Sequence, residues 1–172
     1  MKIELRKLKI AEHMSEETTA FSAEIYVDGK ATGYAKNDGR GGCTGYHSNG
    51  DEKSRELMKS AEAYCLTLPA QRIDMGSGRK PLVIEMNLEN FIDELVEASQ
   101  SEKEQKKLEK KMINTIMWGQ PKGRSYAQVK LPQPITSYPL PAIQKTIDSY
   151  KKEFKEGDVF LNTNLEVLGV KL

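Results

Sequence analysis

The run "TTAFSAEIYV" (residues 18–27) alternates without a break. Thr19, Phe21, Ala23, Ile25 and Val27 fall on one face, and Ser22, Glu24 and Tyr26 on the other. A period of two belongs to a half-buried strand. Asp28-Gly29 follows, a pair that accepts the positive φ values of a tight two-residue hairpin turn, and "KATGYAK" (30–36) returns alongside. "KIELRKLKI" (2–10) supplies an earlier strand, joined by the polar "AEHMSEET" (11–18). The first forty residues therefore read as an antiparallel β-meander.

Helical spacing takes over after the run "NDGRGGCTGY" (37–46). In residues 49–69, Leu57, Ala61, Tyr64, Cys65 and Leu68 recur on one face, Pro69 marks the end, and the acids at 51 and 52 favour the helix dipole of the first turn. "AQRIDMGSGRK" (70–80) reads as a loop and "PLVIEM" (81–86) as a strand. Leu88, Phe91, Ile92 and Leu95 predict a further helix, but Ser99 to Lys107 contains no apolar residue before the spacing resumes at Leu108, Met112, Ile113 and Ile116. A single helix with a bare middle is one reading. The preferred one is two helices, the second started by a capping box of Ser101 and Glu104. "SEKEQKKLEKK" (101–111) reads as a solvated helix face, with Glu102 and Lys106 at i,i+4 spacing.

"SYAQVKL" (125–131) predicts a strand. A connection with Pro132, Pro134, Pro139 and Pro141 leads to a stripe of Ile143, Ile147, Tyr150 and Phe154, with Gly157 as its C-terminal cap, and "DVFLN" (158–162) is a last short strand. Strands and helices are grouped, not alternated, which predicts an α+β fold: an N-terminal antiparallel meander, then three to four helices with additional short strands. A chain of 172 residues fits one domain, 1–172, with the helical region 87–117 projecting from it.

Charge narrows the partners. A formal net charge of +1 gives no global attraction for duplex nucleic acid. No apolar run approaches the ~20 residues of a membrane helix, and "MKIELRKLKI" lacks a signal-peptide core. Two cysteines and two histidines make no secreted disulfide framework, so a reducing, cytoplasmic setting is expected.

The glycine run admits three readings: a structural turn, a ligand loop, or a catalytic loop. Positive-φ glycines can turn successive amides toward an anion, so the backbone of Gly39, Gly41 and Gly42 can hold phosphate, with Arg40 as a charged fork. The run matches neither a Walker A motif nor the dinucleotide fingerprint. Cys43 with His47 four residues on is the catalytic alternative, a thiolate with a neighbouring base. The same pair makes at most half a zinc site, so no metal is expected. "GSGRKP" (76–81) and "WGQPKGRSY" (118–126) admit two readings. The preferred one has Trp118 closing a helix end against the core with the charges solvated. The other adds Arg79, Lys80, Lys122 and Arg124 as phosphate partners, with Trp118 and Tyr126 as stacking surfaces for a base.

Residues 15–47, "SEETTAFSAEIYVDGKATGYAKNDGRGGCTGYH", resemble the opening of small proteins encoded by bacteriophages and prophages, in which a hairpin ending in "YVDGK" runs into a Gly-rich segment. The resemblance implies a phage origin, action in the cytoplasm of a bacterial host, and a role against host defence. The expected function is non-enzymatic binding of an anionic nucleotide, sequestering an immune signal without a cofactor, with homo-oligomerisation compatible. The alternatives are an inhibitor that binds a host effector protein, presenting Met112, Ile116 and Met117, and a cysteine-dependent enzyme.

Overall fold

The structure, a computed structural model of the chain, describes residues 1–73, 75–76, 78–121 and 125–172. It is an α+β protein: a four-stranded antiparallel sheet comes first, followed by helices and further short strands. The sequence reads as one domain; packing divides the chain into two compact units, Met1–Gln100 and Ser101–Leu172, each with its own core.

In the first unit, β1 (Ile3–Ile10), β2 (Phe21–Val27), β3 (Lys30–Asn37) and β4 (Gly45–Ser48) follow one another across the sheet. Asp28 (φ 47°) and Gly29 (φ 78°) make the expected hairpin turn. Asp28 also fastens the start of β1, because the Lys2 amide donates to Asp28 Oδ1 at 2.7 Å. The alternation places Phe21, Ala23, Ile25 and Val27 in the core. Burying Ile25 and Val27 is worth roughly 1.5–3 kcal/mol each.

α1 (Glu52–Cys65) and the first half of α2 (Leu88–Met112) supply the helical side of that core through Met58, Ala61, Cys65, Leu88, Ile92 and Val96. Asp51 caps α1, accepting from the Ser54 amide at 2.9 Å. Between the helices, β5 (Gln71–Ile73) pairs antiparallel with β6 (Leu82–Ile84). Residues 71–73, expected in a loop, are thus a strand that is too short to show a period.

The expected second helix beginning at Ser101 does not form. α2 runs unbroken, and residues 101–107 are exposed on every face. Good helix formers and Glu102–Lys106 pairing continue the helix where packing is absent. The helical spacing at Ile116 is accidental, since Thr115–Gly119 is β7, the middle strand of a three-stranded sheet between β8 (Ala127–Lys130) and β9 (Val159–Phe160). Its residues are buried, Ile116 and Met117 completely (0% exposed), and Met112 is buried too. Those three side chains therefore cannot form the surface expected to face a partner.

α3 (Leu140–Tyr150) packs Ile143 and Ile147 onto this second sheet with Ile135, Leu165 and Val170. Gly157 has φ 85° but stands in the turn before β9, beyond the end of α3, so it is not that helix's cap. The ladder beside β7 is completed by a side chain: Asn162 donates to the Thr115 carbonyl at 2.8 Å and accepts from the Met117 amide at 2.7 Å. α4 (Asn164–Val167) closes the unit, with Asn164 donating to the Met112 carbonyl at the end of α2.

Candidate functional site

The glycine run connects β3 to β4, and two of its glycine amides are hydrogen-bonded within the fold. Gly39 N–H donates to Asn37 Oδ1 at 2.9 Å and Gly41 N–H to Thr18 Oγ1 at 3.2 Å. The Asn37 amide nitrogen donates to the Gly42 carbonyl at 2.9 Å, and the Gly39 carbonyl accepts from the amides of Glu16, Glu17 and Thr18. Glycine is required here for space: at φ 85°, a Cβ on Gly39 would lie 2.3 Å from the Met14 carbonyl oxygen. Two of the three amides assigned to phosphate, those of Gly39 and Gly41, are thus donors within the fold. Arg40 is exposed, and its own amide donates to Asp38 Oδ1.

The cleft beside this loop is acidic. Its volume is about 360 Å³, and Glu16, Glu17, Asp93 and Glu97 line it with Asn37 and Gly42. Thr44 ties the loop to α2, its hydroxyl donating to Asp93 at 2.6 Å and its amide to Glu89 at 2.9 Å. Burial pushes the Asp93 carboxyl above the ordinary range, opposed by the Thr44 hydrogen bond and assisted by the charges of Glu89 and Glu97. Such a setting repels phosphate, so the geometry favours the structural-turn reading of the glycine run. Among the described residues, no group of three or more His, Cys, Asp or Glu side chains is placed to hold a metal ion.

The other expected residues are spread out. Cys43 is exposed in the loop, and the His47 ring lies against Tyr34, centroids 5.3 Å apart. Arg79 and Lys80 are exposed between β5 and β6. Trp118 and Tyr126 line one cleft of the second unit, of about 490 Å³. Trp118 is only 5% exposed and packs against Tyr150 and Phe154, centroids 4.9 and 6.5 Å away, so it is a core residue with no face left for a base. Tyr126 is 37% exposed and accepts a hydrogen bond from Lys111. Lys122 and Arg124 lie outside the described residues.

Basic and aromatic side chains do come together, at a place the sequence did not single out. The face of the first sheet opposite its core carries them in cross-strand rows. Lys9, Ser22, Lys36 and Gly45 form one row; Arg6, Glu24, Tyr34 and His47 form the next; Glu4 and Tyr26 lie beyond. A shallow groove of about 300 Å³ crosses this face, walled by Tyr34 (47% exposed) and the three lysines Lys7, Lys9 and Lys36. Lys7 pairs with Glu24 at 2.7 Å, which holds the ammonium above its usual range. Lys9 and Lys36 have no ion-pair partner among the described residues. The Arg6 guanidinium lies 4.1 Å over the Tyr26 ring.

One sequence signal pointed here. Ser22, Glu24 and Tyr26 are the polar phase of the alternation, and hairpin register brings Tyr34 and Lys36 to the same side. His47 stands out in the sequence only as a base for Cys43, and its place on this face is not legible because "GYHS" is too short to read as a strand.

No family model, no curated protein and no solved structure matches this chain. Among the described residues, no helix is long and apolar enough to cross a membrane.

Proposed function

We propose that this chain is a non-catalytic binding protein for an anionic nucleotide, and that the exposed face of its first sheet is the binding surface. One observation carries this reading: Lys9 and Lys36 flank Ser22 across three adjacent strands, without an ion-pair partner among the described residues, with the Tyr34 ring beside them. The small hydroxyl leaves a low floor between two ammonium groups, which suits a phosphate. The aromatic wall suits a base, whose stacking contributes roughly 1–3 kcal/mol. The carboxylates of the face are already ion-paired, Glu4 with Lys2 and Arg6, and Glu24 with Lys7. The resemblance of residues 15–47 to small phage proteins supports a sequestering role against a nucleotide signal of host defence.

A thermal-shift panel of mono-, di- and oligonucleotides tests the reading, with the bound nucleotide recovered and checked for integrity. A ligand at ~100 times its dissociation constant stabilises the fold by about 2.7 kcal/mol, which moves the midpoint by several degrees. Lys36→Glu should weaken binding about tenfold or more by replacing a charge-assisted contact with repulsion. A shift that survives both Lys36→Glu and Lys9→Glu would rule out this face, and recovery of an altered nucleotide would rule out a non-catalytic role.

A second reading, binding of a host protein, draws support from the β5–β6 hairpin. There Ile73, Leu82 and Val83 are all more than 40% exposed, which is unusual for neighbouring large apolar residues. No shift with any nucleotide would favour it.

A further inference from the structure

We infer that the ligand of the open sheet face carries at least two bases joined by a phosphodiester, an inference that rests on the nucleotide-binding reading above. The face holds two stacking platforms. One is Tyr34 with His47, neighbours across β3 and β4. The other is Tyr26 with the Arg6 guanidinium lying over its ring. Planar guanidinium groups and aromatic rings both accept a splayed-out base.

Register sets how far apart the platforms are. Tyr34 stands opposite Glu24, and Tyr26 is two residues further along β2, past a register shift that pairs it with Ala31, so the two tyrosines are diagonal neighbours across an irregular step. Regular diagonal neighbours in a sheet are about 7–8 Å apart. A mononucleotide spans only one platform, whereas adjacent nucleotides with unstacked bases reach both. Lys9 and Lys36 lie one row away on the Tyr34 side, where they neutralise the phosphate that enters the pair. A duplex keeps its bases stacked inside and has no use for the platforms.

The test is competition fluorescence anisotropy on the full chain, with fluorescein-labelled octathymidylate as probe. Competitors are thymidine monophosphate, linear dithymidylate, cyclic di-AMP and a short duplex. At least one of the two dinucleotides, linear or cyclic, should compete about tenfold better than the mononucleotide, the worth of a second stacked base, and the duplex should compete poorly. Which dinucleotide prevails identifies the source of the ligand. Tyr26→Ala should bring that dinucleotide back toward mononucleotide affinity, and Tyr26→Phe should restore it. Both substitutions are on the exposed side of the sheet, and circular dichroism checks the fold.

Equal competition by mono- and dinucleotides, with Lys36→Glu still weakening both, would overturn the two-base inference and leave the nucleotide reading standing. So would a dinucleotide preference that Tyr26→Ala leaves unchanged. Absence of binding by every competitor and by the probe would end both.

Discussion

The surroundings of Asp93 resist its charge. Burial, with Glu89 and Glu97 nearby, favours the protonated carboxyl, while the Thr44 hydroxyl favours the ionised one. A carboxyl whose folded pKa is raised binds protons more readily folded than unfolded, so its contribution to stability falls as pH rises through that range. Asp93→Asn removes the charge and keeps an oxygen for Thr44. The substitution should raise the melting temperature at about pH 7, and the gain should vanish at about pH 3, where the native carboxyl is protonated in both states. Equal destabilisation at both pH values would show that the hydrogen bond outweighs the charge. The acidity of this cleft was not visible in the chain, because Glu16 and Glu17 are separated from Asp93 and Glu97 by more than seventy residues. Of the two readings of Trp118, core packing and base stacking, the structure shows the first, and its partners Tyr150 and Phe154 are distant in sequence.

α2 shows how one helix can rest on two different supports. Residues 88–97 bury Leu88, Ile92 and Val96, whereas 101–107 bury nothing. Isolated helix is marginal in water, since most helical stability comes from packing. Hydrogen–deuterium exchange should therefore find the amides of 101–107 exchanging well before those of 88–97. Uniform protection along α2 would mean that something covers the middle. The bare stretch was plain from composition; its continuity was not, because a capping box and a continuing helix both accept Ser101 and Glu104. β7 was lost to a similar ambiguity. Ile116 fits helical spacing from Met112 and Ile113, and only pairing with β8 and β9 makes Thr115–Gly119 a strand.

Each of the two units carries an apolar core of its own, and the second offers its own reporter. The chain has one tryptophan, and Trp118 is buried in that second core with Ile143 and Ile147. Ile147→Ala should cost about 2–5 kcal/mol and lower the midpoint of the Trp118 fluorescence transition in urea. A midpoint left in place would mean that Trp118 does not report on the packing around α3.

Local pattern was enough for the meander, the Asp28-Gly29 turn and the helical stripes of α1 and α3, since each is written in neighbours a few residues apart. It also hinted at the face that now carries the functional proposal, through the polar phase of β2. Packing and register decided the rest. They engaged the amides of Gly39 and Gly41 in hydrogen bonds of the fold, buried Trp118, and set Lys9 and Lys36 on either side of Ser22 although the chain keeps them 27 residues apart. A backbone donor or a charge is available to a ligand only when the fold has not already used it. That availability depends on distant partners, whose positions no local spacing records.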